Sequence, residues 1–279
     1  MGPALYTHAM RALEQATKAL LAGDLTPATT GISFGRVREL LARCTQNLRT
    51  TAPHPVIARR KQIDMNLDKL MNKHLTRYFD PSKTIPEETL QQLLRFLRST
   101  PSSVNVQPNH FYVLATPEGK ERLTANLGER FQDNAEKILN ASHTIILTTR
   151  ADVPDSHLEA VFTKERADGR FPDPSKQELW ESMTRDFLNL RSYGYKDLNH
   201  WMEKQTYMAV GLTMMAAAEL GVEATPLEGF DPTSVDKAFK IRETGHSTTV
   251  LLALGYPDPE RVYTTPISRF HADHLFTFI

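Results

Sequence analysis

Three polar stretches carry side chains suited to holding a flat polar ligand. Pro101-Ser102-Ser103-Val104-Asn105-Val106-Gln107-Pro108-Asn109-His110-Phe111 sets hydroxyls, amides and two prolines directly before the apolar run Tyr112-Val113-Leu114-Ala115. Such a rigid turn offers backbone N–H groups and short donors, although a Ser/Asn/Pro cluster taken alone is an ordinary loop. Pro226-Leu227-Glu228-Gly229-Phe230-Asp231 follows a long apolar helix, and its glycine suits a turn with positive φ. Lys73-His74-Leu75-Thr76-Arg77-Tyr78-Phe79-Asp80 is basic; charges at a helix end are ordinarily solvated. Asn134 and Lys137 equally fit an exposed helical face, and Arg269 equally fits a simple ion pair.

Other chemistries find no support. No G-x-G-x-x-G follows a strand, and there is neither a Walker A lysine loop nor a G-x-S-x-G elbow. His271 and His274 stand three apart without a third ligand, so no metal site is expected. Trp180 and Trp201 read as packing residues rather than base-stacking ones.

The elements that must position these residues follow from composition and pattern. The chain has 279 residues, 40% of them apolar, with 33 basic and 33 acidic side chains. That is enough for a sizeable core, and overall neutrality argues against nucleic-acid binding. Charge is uneven: residues 1–64 hold nine Lys/Arg against four acids, a balance of +5, and residues 65–279 hold −5. The single cysteine, Cys44, rules out an internal disulfide and fits a reducing compartment. The longest charge-free helical stretch, Thr206 to Ala218, has 13 residues, short of the roughly 20 that span a bilayer. A cytoplasmic protein without membrane contact is expected.

Residues 4–22 and 35–48 read as amphipathic helices, and Thr50 to Pro55 as a linker. A boundary near residue 64 leaves two readings: an attached helical hairpin, or an upstream extension before a natural start at Met65. Further on, helix is expected from Pro86, over 117–127, 131–139, 174–190 and 198–220. Strand is expected over 110–116, 143–148 and 248–254. The helix of 198–220 is apolar all round in its second half, which demands a central position or a subunit interface. The alternating tail His274 to Ile279 could add a strand to a neighbouring sheet.

Together and in this order, the three stretches resemble the FMN-dependent, oxygen-insensitive NAD(P)H nitroreductase and flavin reductase family. The resemblance covers about 215 residues, Met65 to Ile279. It implies an α+β fold with a mainly antiparallel sheet flanked by helices, in an intertwined homodimer with two FMN sites at the interface. It implies that Lys73 and Arg269 hold the phosphate with His74 in support, and that Arg77, Asn134 and Lys137 lie at the pyrimidine edge. Ser102, Ser103 and Asn105 would reach the FMN of the second subunit, and Glu228 and Gly229 would present backbone N–H near N5. Arg170 and Phe171 would line the path of NADH or NADPH, and Phe187 would gate the substrate pocket. No side chain is expected to act as a dedicated acid or base, because the cofactor carries the redox step. The implied reaction is a ping-pong transfer of electron pairs to nitroaromatics, quinones or flavins.

Three positions depart from the family pattern. Leu75 stands where a serine commonly aids the phosphate, Ile267 where a lysine often does, and Asn109 where an aromatic is frequent. One lost charge-assisted contact costs about 1.5–3 kcal/mol, tolerable if Lys73 and Arg269 remain. The alternatives are a dehalogenating or flavin-fragmenting reductase of the same fold, and a flavin-binding module without turnover whose N-terminal extension docks a partner. A third is a basic N-terminal helical pair contacting nucleic acid, for which no aromatic interleaving speaks.

Overall fold

The structure, a computed structural model, describes residues 76–261 and 265–279, all within the unit Met65–Ile279. The helices expected over 4–22 and 35–48, the 1–64 extension, and Lys73, His74 and Leu75 lie outside the described residues.

Chain order runs α1 (Glu87–Arg98), β1 (Asn109–Leu114), α2 (Pro117–Thr124), α3 (Ala135–Asn140), β2 (His143–Arg150), α4 (Asp155–Ala167) and α5 (Pro174–Asn189). It continues through α6 (Leu198–Glu219), β3 (Glu223–Leu227), α7 (Pro232–Phe239), β4 (His246–Gly255) and the short α8 (Ala272–Leu275). The sheet has the order β1-β2-β4-β3, and every neighbouring pair is antiparallel. This is the α+β fold with an antiparallel sheet expected from sequence.

The central strands are apolar on both sides because both faces of the sheet are covered. Ile145 and Leu147 of β2, with Val250, Leu252 and Leu254 of β4, pack against Leu90, Leu93 and Leu97 of α1 and Ala209, Val210 and Ala217 of α6. The alternate residues Ile146, Leu251 and Ala253 pack against Leu123 of α2, Ile138 of α3 and Val235 of α7. A third cluster joins Leu158, Val161 and Phe162 of α4 to Leu188 of α5, Trp201 and Met202 of α6, and Val106.

Helix starts repeat one chemistry. Thr116, Asp173 and Asp231 each accept a backbone N–H with their side chain, and each is followed by proline at the first helical position. The structure also refines the expected elements. The 131–139 segment divides into a 3₁₀ stretch, Glu129–Asn134, and α3. Between α5 and α6 the chain forms a π-helical turn over Leu190–Tyr195. The tail forms α8, and Phe276 to Ile279 make no strand among the described residues. In α5, Leu179 and Met183 face solvent, as does Leu190 just beyond its end, and Gln177, Thr184 and Leu188 face inward.

Candidate active site

Two groups of the expected residues assemble, on different sides of α6. The first forms where α3, β3 and the 76–80 segment meet. Thr225 of β3 donates its hydroxyl to the Thr76 carbonyl at 2.7 Å. Asp258 donates its N–H to the Tyr78 carbonyl at 3.0 Å, and Phe79 bridges Pro257. Those bonds place Arg77 close enough to Lys137 to act on it electrostatically. Burial foremost, and then Arg77, hold the Lys137 ammonium below the usual lysine range, against the pull of Asp133 and Glu136.

Lys137 Nζ donates to Asn134 Oδ1 at 2.7 Å, and Asn134 Nδ2 donates to the Gly229 carbonyl at 2.8 Å. That amide leaves no room at Gly229: a Cβ there would stand 2.6 Å from Asn134 Nδ2 and 3.2 Å from Phe131. A larger residue there would push the Asn134 amide aside. Neither the Glu228 nor the Gly229 N–H meets an acceptor among the described residues. The Glu228 carboxylate is held by Tyr207 of α6, whose hydroxyl donates to Oε1 at 2.6 Å. Burial first, then this bond, push the Tyr207 hydroxyl up to about 12. The hydroxyl therefore stays a donor through neutral pH.

The second group is built on the turn before β1. Ser103 donates its N–H to Gln205 Oε1 of α6 at 2.9 Å, and Gln107 donates its N–H to Ser102 Oγ at 3.0 Å. Asn105 Nδ2 donates to Glu165 Oε1 of α4 at 2.7 Å. Beyond the end of α4, the Arg170 guanidinium lies 5.6 Å from the Phe171 ring and 5.4 Å from Trp180. Gln205 and Tyr207 are two residues apart, about 200° around a helix. One points into the fold and the other outward, so α6 separates the two groups within one chain.

Other expected residues lie elsewhere. Phe187 packs edge-on against Trp201 at 5.5 Å, within the third apolar cluster. Arg269 is exposed and donates to its neighbour, the Ser268 carbonyl. Asn109 ends a hydroxyl chain between strands and helix. Its Oδ1 accepts from Thr206 at 2.6 Å, and Thr149 stands 2.6 Å from both Thr206 and Thr249. No group of His, Cys, Asp or Glu able to hold a metal ion occurs among the described residues. None of their helices is long and apolar enough to cross a membrane.

Sequence reasoning passed over Tyr207, Gln205 and Glu165. Tyr207 was hidden in the apolar half of α6. Leu158, Val161, Phe162 and Glu165 stand at i, i+3, i+4 and i+7, a helical stripe that does announce α4 but ends on a carboxylate.

The first group fits a flat cofactor with an anionic edge. It offers a partly buried lysine with an arginine close by, an amide, and a backbone turn that a Cβ would crowd. The second offers short donors and an arginine beside aromatic rings.

Comparison with known proteins identifies the family. The sequence model of the nitroreductase family matches residues 70–256. The oxygen-insensitive NAD(P)H nitroreductase of Salmonella typhimurium is 34% identical over 190 residues, covering 68% of this chain and 88% of the relative. The major NAD(P)H-flavin oxidoreductase of Aliivibrio fischeri is 29% identical over 212 residues, covering 75% and 96%. Among solved structures, a protein of Exiguobacterium sibiricum described as a nitroreductase in complex with FMN superposes with a TM-score of 0.65 at 18% identity, covering 76% of this chain and 96% of that one. The chain belongs to the nitroreductase family of oxidoreductases.

Proposed function

We propose that this chain is an FMN-dependent NAD(P)H oxidoreductase, acting as a cytoplasmic homodimer on nitroaromatics, quinones or flavins. The observation that carries the reading is the convergence of Arg77, Lys137 and Asn134 on the Glu228–Gly229 turn. When bound, FMN would supply the two-electron chemistry, taking hydride from NAD(P)H and passing an electron pair to the acceptor in a ping-pong cycle.

The chain's own residues would position and polarise. Arg77 and Lys137 supply positive charge to the pyrimidine edge, which becomes anionic on reduction. Asn134 holds the Gly229 carbonyl, so the Glu228 and Gly229 N–H groups form a fixed pair of donors. Tyr207 holds the Glu228 side chain. Lys73, His74 and Arg269 are assigned to the phosphate, and Arg170 and Phe171 to the nicotinamide cofactor. Phe187, lying against Trp201, is assigned to the gate of the substrate pocket. Residues 1–64 are assigned to an extension outside this catalytic unit.

The separation of the two groups by α6 favours a dimer. Ser102, Ser103 and Asn105 stand on the far side of the helix from Lys137 and Gly229, so a second copy would bring them to the first copy's flavin. The outer face of α6 supports the same reading: Tyr207, Met208 and Met215 are exposed beside Gly211, where a Cβ would meet nothing. Large apolar side chains next to a glycine make a surface that another helix can approach closely.

The test is the visible spectrum of the purified chain after FMN addition, repeated anaerobically with one equivalent of NADPH. Flavin bands that bleach are the expected result. A chain that binds no FMN, or an Arg77→Ala/Lys137→Ala double variant that reduces acceptors as fast as the parent, would sink the proposal.

A further inference from the structure

Glu165 is the most anomalous charge in the described fold. Its side chain is 4% exposed. It stands in the last turn of α4, where the helix dipole disfavours an acid. Its Oε2 meets no hydrogen-bond partner among the described residues. A buried carboxylate with one oxygen unmet costs stability, so its placement calls for another account.

Its other atoms reach in two directions. Towards the turn before β1, Oε1 accepts from Asn105 Nδ2 at 2.7 Å. That turn is strained: Val104, Asn105 and Gln107 have φ of 47°, 53° and 46°. A β-branched residue in the left-handed region is an outlier that persists only when its surroundings impose it. Here the surroundings are α4 and α6. Gln205 takes the Ser103 N–H, Glu165 takes Asn105, and His157 Nε2 donates to the Val106 carbonyl at 2.7 Å.

In the other direction Glu165 gathers Arg170. Gly169, at φ 67°, reverses the chain after α4. The Arg170 N–H then donates to the Glu165 carbonyl at 3.0 Å, and the Gly169 N–H to the Arg166 carbonyl at 3.1 Å. These are the two bonds of a Schellman cap. An apolar contact usually accompanies that cap; here the contact is ionic, with Arg170 Nε 3.5 Å from Glu165 Oε1. Side chain and backbone of one residue thus hold both ends of the Arg170 arm, and the same carboxylate oxygen holds Asn105.

We propose that Glu165 is a positioning residue that couples the flavin-facing Ser102–Asn105 turn to the nicotinamide-facing Arg170. The inference rests on the function proposed above. Glu165 touches neither cofactor; it fixes the groups that do. Its two duties can be separated, because glutamine keeps an oxygen for the Asn105 amide but loses the charge that attracts Arg170.

The experiment uses the full chain as parent, Glu165→Gln and Glu165→Leu, with three readouts: hydrogen exchange of the FMN-free protein, FMN affinity, and steady-state kinetics. In Glu165→Leu the amides of residues 103–107 should exchange faster and FMN affinity should fall about 10- to 100-fold, the range for a lost hydrogen bond to a charged group. Its melting temperature should hold or rise, which a purely structural role would not allow. In Glu165→Gln, exchange and FMN affinity should stay near the parent while KM for NAD(P)H rises about tenfold at little-changed kcat. Unchanged exchange in Glu165→Leu would overturn the inference with the proposed function intact. So would identical behaviour of the two variants in all three readouts. Should Glu165→Leu fail to fold, Asn105→Asp sets a second carboxylate against Glu165 and must speed the same exchange; normal exchange there is equally fatal. If the parent binds no FMN, the proposed function falls, and the exchange pattern alone decides whether Glu165 orders the turn.

Discussion

The sheet and the α4–α5 arm are packed by different rules. In β2 and β4, Ile145, Ile146, Leu147, Val250, Leu251 and Leu252 are fully buried, and both sheet faces are lined with apolar side chains. The arm buries Leu158, Val161, Phe162 and Leu188, but two large apolar residues of α5 point outward: Leu179 is 61% and Met183 56% exposed. The arm is stapled by surface ion pairs, Arg185 to Asp155 and Glu159, and Arg166 to Glu181. Exposed pairs of this kind add at most about 1 kcal/mol each. Six of the seven buried side-chain polar atoms without a partner among the described residues belong to Glu165, Gln177, Trp180, Thr184, Arg191 and Asp197. The arm also contains the π-helical turn, where Arg191 lies 5.0 Å from the Phe187 ring and pairs with Asp197 at 3.0 Å. Regions that satisfy every local rule hold the fold, and regions that break several tend to carry function. On that criterion the sheet is scaffold, and the arm is the region to which the proposals above assign Glu165 and Arg170.

The widest gap between the two regions should appear in stability. Ile146→Ala opens a void in a face packed by Leu123, Ile138 and Val235, and should cost about 2–5 kcal/mol in urea unfolding. A cost below about 1 kcal/mol would mean that the sheet is no better packed than the arm.

Next comes a buried polar contact that the sheet region does satisfy. Asp236 is 2% exposed and accepts from Thr248 N at 2.8 Å, Thr248 Oγ1 at 2.6 Å and Arg242 Nε at 2.6 Å. Asp236→Ala strands two donors at the start of β4 and should cost about 2–3 kcal/mol. The Arg242 partner is largely exposed and adds little. A neutral result would show that water replaces the carboxylate, and would weaken the contrast.

A smaller effect is expected from pH. Burial, first among the causes, lowers His143, His157 and His246 from 6.5 in the folded chain. Each is thus more readily protonated unfolded than folded. Stability should be fully present above pH 6.5 and fall as pH drops below it towards the folded values. The melting temperature should therefore decline as pH falls below about 6.5. His246→Asn should flatten that decline, since His246 sits 5.7 Å from His110 and feels Arg150 and His157 as well. A pH-independent melt would refute it.

The smallest expected change sharpens the comparison from the other side. Leu179→Ala in α5 should alter stability by less than about 0.5 kcal/mol. A loss of about 2 kcal/mol or more would show that something covers this face in solution.

Much of the architecture was legible in the chain because it follows from local rules. Apolar and β-branched runs gave β1, β2 and β4, and apolar residues at helical spacing gave α5, whose Asp173-Pro174 start the structure shows as a cap. The same Asp-Pro signal at 231–232 announces α7 and went unread, because the stretch was already taken for a ligand turn. β3 escaped because Glu223 and Pro226 interrupt it; it is an edge strand, where proline is tolerated. Of the site, the residue types and their order were visible, Asn134, Lys137 and Gly229 among them.

Their partners were not, because partnership depends on distance in space and a sequence records only distance along the chain. Asn134 meets Gly229 95 residues away, and Asn105 meets Glu165 60 residues away. Sequence alone determined that this chain makes an α+β fold and that its polar turns are those of the nitroreductase family. Only the tertiary structure decided that those turns fall into two groups on opposite sides of α6. Only it decided, too, that a buried glutamate binds the strained turn to Arg170. The physical reason is the same for both: helical phase and strand register are local, but which faces close on one another is settled by burial of the whole core.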